Sequence, residues 1–105
     1  MSVGLLIISK SNPEQRDLIP IAPQKIFTSK WLPGCVALNL EWVPLFETGI
    51  PVDSSNVVPI LRELDLLQQW MSERVDYAYE VERISRLIRE LEKTRTQDDL
   101  DIFVG

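Results

Sequence analysis

The sequence predicts an α+β domain: a small, mostly antiparallel sheet of about three to four strands packed against a two-helix antiparallel hairpin. Three observations carry this. Residues 53–95 hold two apolar stripes at helical spacing, short apolar runs with strand character lie near both ends of the chain, and all seven prolines fall at or before Pro59. At 105 residues with 45 % hydrophobic content, the chain is long enough for one core and too short for two. We therefore expect a single domain over 1–105. Residues 1–52 would supply strands and proline-rich loops, 53–95 the hairpin and 100–104 a terminal strand.

Taken in order, Val3–Ser9 is a continuous apolar run that ends in the turn-forming Ser11-Asn12-Pro13. Its length and isoleucine content favour a strand buried on both faces. Pro20 and Pro23 forbid a long helix in the next segment, which reads mainly as loop, with Leu18–Ala22 extended at a sheet edge. Leu32-Pro33-Gly34-Cys35 then has the proline and glycine placement of a type II turn. With that turn at its tip, Lys25–Trp31 and Cys35–Trp42 read as a strand hairpin. Val36, Leu38, Leu40 and Trp42 form its apolar face and Pro44 closes it. Phe46, Ile50 and Val52 are too apolar to be idle in water and should fold under the helices.

The hairpin itself begins after Asp53-Ser54-Ser55-Asn56, four residues that can each cap a helix. Pro59 selects Asn56, because proline then falls in the first turn, where its missing N–H is not needed. Val57, Ile60, Leu61, Leu64, Leu67, Trp70 and Met71 define the first stripe, ending near Ser72. Asp76 is the natural cap of the second, which runs through Tyr77, Val81, Ile84, Ile88 and Leu91, with Leu87 widening it. No Gly or Pro occurs between Ile60 and Val104 to interrupt either stripe, and the short link makes the helices antiparallel. Glu80–Arg83, Glu82–Arg86, Arg86–Glu90 and Arg89–Glu92 have the spacing of an outer ion-pair ladder. Leu100, Ile102 and Val104 alternate with Asp101 and Phe103 as a last strand would, pairing beside Val3–Ser9.

Composition excludes more than it selects. There is no histidine, so no imidazole base, no histidine-dependent nucleophile and no zinc site of the usual kinds. Four glycines and no phosphate-loop pattern leave nothing to cradle a nucleotide. No cofactor is expected. Asp98, Asp99 and Asp101 are a carboxylate cluster without the spacing or the glycine of a calcium loop, so no metal is expected either. A net charge of −5, from 11 basic and 16 acidic residues, disfavours nucleic acid. No apolar run approaches the roughly 20 residues of a membrane span, and no basic start precedes Val3–Ile8. With Cys35 as the lone cysteine, a cytoplasmic setting is expected.

What remains is a non-enzymatic, small acidic protein that binds and neutralises or regulates a protein partner, a basic one by charge. Bacterial antitoxins and immunity proteins are analogous in class; no motif ties the chain to any family. Trp31 and Leu32, displayed on the turn, would anchor the partner, since tryptophan is enriched at interface hot spots. Glu82 and Glu90 would steer it by charge. The alternative is a structural or oligomer-forming module whose helical hairpin makes a homodimer, with Leu66 and Leu87 at its seam.

Overall fold

The computed structural model describes residues 2–95, 97 and 99–105. Four strands form one antiparallel sheet in the order β2-β1-β4-β3, and helices cover one of its faces. The strands are β1 (Ser2–Ser9), β2 (Arg16–Pro23), β3 (Ile50–Val52) and β4 (Leu100–Val104). The helices are α1 (Gln24–Ile26), α2 (Leu32–Leu38), α3 (Val57–Ser72) and α4 (Ala78–Thr94). None is long and apolar enough to cross a membrane.

β1 lies at the centre, and β4 pairs with it from Leu5↔Val104 to Ser9↔Leu100, the partnership expected from the two alternating runs. Val3, Leu5 and Ile7 point into the core, whereas Leu6 and Ile8 on the other face are only half-buried. The expectation of a strand covered on both faces is thus corrected, because the helices all lie on one side. β2 extends further than the Leu18–Ala22 edge segment. Its register against β1 jumps between Val3 and Gly4, so Ile21 is the extra residue of a bulge, and Ile21 and Ala22 are both buried. Pro20 and Pro23 are tolerated because β2 is an edge strand with no neighbour to receive their missing N–H.

The proposed hairpin of 25–42 is not a hairpin. α1, a π-helical turn over Phe27–Trp31 and α2 form one continuous helical run that ends at Asn39, whose left-handed φ of 56° stops it. Phe27, Trp31 and Cys35 recur every four residues and are all buried, so this stripe drives the segment helical. Proline inside a helix clashes with the carbonyl four residues back. The wider turn, in which Leu32 N–H reaches the Phe27 carbonyl, accommodates Pro33. Gly34 is a close-approach residue rather than a turn residue: a Cβ there would lie 2.6 Å from Leu67 Cδ1 and 2.8 Å from the Trp70 ring. Val36, expected on an inward strand face, is 80 % exposed.

The 3₁₀ turn Val43–Glu47 follows, with Val43 and Phe46 buried beneath it. Its N-terminus is held by a carboxylate from another element. Glu63 of α3 accepts the N–H groups of Glu41 (3.0 Å), Trp42 (2.9 and 3.1 Å) and Val43 (3.0 Å). Three helical-turn donors without backbone partners are satisfied by one negative charge.

α3 and α4 form the expected hairpin. Asn56 stands at the first residue before α3 but does not cap it. Its side chain accepts from Asp53 N–H and donates to the Pro51 carbonyl, both at 2.9 Å, and so ties β3 to the helix. Asp76 is not the cap of α4 either, since a 3₁₀ turn over Val75–Tyr77 places Tyr77 there. Gln68 bridges the two helices through the Val81 carbonyl (2.9 Å) and the Ser85 hydroxyl (2.5 Å). Leu64 and Ile84, at the centres of the two stripes, are fully buried. Alanine at either position is expected to lower stability by about 2–5 kcal/mol, read from urea unfolding. Two variants that unfold with the parent would show that the stripes do not hold the fold.

Candidate interaction surface

The four residues expected to bind a partner are not brought together. Trp31 is fully buried, its ring centroid 5.5 Å from that of Phe27, and Leu32 beside it is half-buried on α2. The tip on which they were to be displayed does not exist. Glu82 is exposed, but it lies in a shallow concavity with Tyr79, Arg83, Arg86 and Arg89, where its charge is outnumbered. Glu90 is half-buried and paired with Lys93 at 3.2 Å. None of the four ladder pairs lies within ion-pair distance among the described residues. Glu80 instead turns inward to Lys30, 3.7 Å away, and Arg83 stacks on Tyr79 and reaches the Pro20 carbonyl at 3.3 Å. Glu80–Arg83 fails because each side chain has an inward or aromatic partner, whereas Glu90 and Glu92 pair further along the same helix, with Lys93 at 3.2 Å and Arg95 at 3.3 Å.

The other sequence candidates are accounted for as well. Leu87 belongs to the core, at 1 % exposure, so it offers nothing to a seam on the outer helical surface, whereas Leu66 is 44 % exposed. Asp98 lies outside the described residues. Asp101 lies 3.8 Å from Lys10, and Asp99 accepts from the Ser11 hydroxyl at 3.4 Å. Among the described residues, no three potential metal ligands converge.

Cys35 is buried, and burial, with the Glu63 charge acting second, pushes its thiol up to about 12. The thiolate is the reactive form, so native protein at pH 8 is expected to react with a disulfide reagent orders of magnitude more slowly than urea-unfolded protein. Equal rates would place Cys35 at the surface. The same shift predicts a stability change with pH. The fold favours the protonated thiol, so its contribution is intact below the ordinary value near 9 and is lost as pH rises through about 12.

The surface that sequence reading missed is the uncovered face of the sheet. Strand register places Leu18, Leu6, Phe103 and Pro51 side by side in one row across all four strands. Leu18 is 69 % exposed and Phe103 40 %, Pro51 is exposed, and Ile8 adds a half-buried apolar side chain beside Leu6. Glycines make this face flat. The Phe103 ring lies over Gly49 and Gly105, where any Cβ would collide with it, and Leu18 leans over Gly4. Gly4 and Gly105 exchange backbone hydrogen bonds of 3.2 and 3.0 Å, which continues the β1–β4 ladder beneath the ring.

Proline blunts both edges of the sheet. On β3, Pro51 has no N–H, and its carbonyl is taken by Asn56. On β2, Pro20 and Pro23 interrupt the donors. At one corner the face runs into a groove of about 560 Å³. Ile8, Phe103 and Pro51 lie on its apolar side, and Lys10, Asp53 and Arg95 are among its polar walls. These polar groups are mixed in sign. Comparison with protein-family models, curated proteins and solved structures gives no match.

Proposed function

We propose that this chain is a non-enzymatic protein-binding module, and that it binds through the open face of its sheet. The observation that carries this is the apolar row Leu18–Leu6–Phe103–Pro51, flat and uncovered opposite the helices. Contiguous apolar surface rimmed by charge marks contact sites, and an aromatic at its centre is the usual anchor. The face spans roughly 19 by 17 Å, from four strands about 4.8 Å apart and five residues about 3.4 Å each, which suits a protein surface better than a small ligand. Charge is the secondary element, because Glu82 is surrounded by arginines and Glu90 is paired. A cytoplasmic setting is part of the proposal and accords with a single buried cysteine.

Leu18→Glu and Phe103→Thr change exposed side chains and are expected to melt near the parent. Tagged parent and variants, used to capture proteins from the source cell, test the reading. Partners held by the parent should be lost from both variants, while Glu82→Lys and Glu90→Lys retain them. Capture unchanged by Leu18→Glu and Phe103→Thr would rule out the sheet face.

A further inference from the structure

We infer that the occupant of the open sheet face is a second copy of this chain, bound face to face about a two-fold axis running along β1. This rests on the reading of the sheet face as the binding surface. The face is self-complementary about that axis. A two-fold along a strand keeps each cross-strand row at its own height and exchanges left for right, so β2 of one copy meets β4 of the other. In the row Leu18–Leu6–Phe103, Leu18 then meets the Phe103 ring of the second copy, and Leu6 meets Leu6. In the next row, Arg16–Ile8–Asp101, Ile8 meets Ile8 while Arg16 meets Asp101 at both ends. An apolar centre is thus flanked by two opposite-charge pairs.

A two-fold along β1 cannot slide one row against another, so this pairing of Arg16 with Asp101 is the register the axis imposes. Arg16 and Asp101 are both exposed, and Lys10, the neighbour of Asp101, is itself 53 % exposed and free to swing aside. Strand directions stay within the roughly 30° usual for aligned sheets, which stack about 10 Å apart. The glycine-flattened surface, with Phe103 and Leu18 lying down on it, permits that approach. The area falls below the standard interface of about 800 Å² per partner, so the dimer is a reversible one, with a dissociation constant on the order of 100 μM.

Sedimentation equilibrium of the untagged full chain from about 10 μM to 1 mM, a range set by that constant, tests this. The parent is expected to follow a monomer–dimer equilibrium. Leu18→Glu should weaken it at least about tenfold, by burying an unpaired charge. Arg16→Asp should weaken it by about the same factor, since it sets Asp against Asp101, and the double exchange Arg16→Asp/Asp101→Arg should bring the constant back to within about threefold of the parent. Circular dichroism confirms that each variant is folded. A parent that stays monomeric at the highest concentration overturns the dimer. If the sheet-face variants still lose partners captured from the cell, the reading of the face survives and the occupant is a different protein. A dimer that ignores Leu18→Glu, or a double exchange no better than Arg16→Asp alone, overturns the register and with it the inference.

Discussion

Trp31→Ala should lower stability by about 3–5 kcal/mol, a large share of the roughly 5–15 kcal/mol of a small domain. The indole is fully buried and its ring neighbours that of Phe27, so truncation opens a cavity in the core. In a domain of this size the loss corresponds to a fall in Tm of about 15 °C or more. Trp31→Phe should be far milder, because it keeps a ring in place and the indole N–H has no hydrogen-bond partner among the described residues. A turn-tip tryptophan behaves in the opposite way, with alanine sparing the fold. Thermal melting of the two variants separates the arrangements, and an alanine variant within a degree or two of the parent would sink the buried one.

Glu63→Ala is the second large effect, expected at about 2–4 kcal/mol. One carboxylate accepts N–H groups from three successive residues, Glu41, Trp42 and Val43, and holds the start of the 3₁₀ turn over Phe46. Truncation leaves those donors without their acceptor where water reaches them only in part. Glu63→Gln keeps one carbonyl oxygen and loses the charge, so it should fall between alanine and the parent. Urea unfolding orders the three proteins. Alanine and glutamine variants each within about 0.5 kcal/mol of the parent would mean that the turn holds itself.

The parts of this fold legible in the sequence are those whose information is local and periodic. The stripe from Val57 to Met71 and that from Tyr77 to Leu91 stood out because a helix repeats its burial every three or four residues, and α3 and α4 follow them. Alternation over 100–104 likewise announced β4, and its pairing with β1 followed from two strands needing the same layer. The segment 24–38 departs from the sequence expectation because Pro33-Gly34 supports two structures. Read alone it is a turn. The four-residue spacing of Phe27, Trp31 and Cys35 is the local signal that favours a helix, and Gly34 makes sense only once Leu67 and Trp70 lie against it.

The interaction surface was beyond local reading altogether. Leu18, Leu6, Phe103 and Pro51 come from four separate segments, and none is exceptional in its own neighbourhood. They become a row only when strand register sets them level, and they become a surface only because every helix packs on the opposite face. By itself the sequence determined the fold class, the helical hairpin, the two central strands and an acidic chemistry without histidine. Tertiary structure decided that Trp31 is core, that Glu82 is ringed by arginines, and which face of the sheet is left to water. The division has a physical cause. Backbone geometry writes helix and strand periods into adjacent residues, whereas register, close approach and burial depend on contacts between residues far apart in the chain.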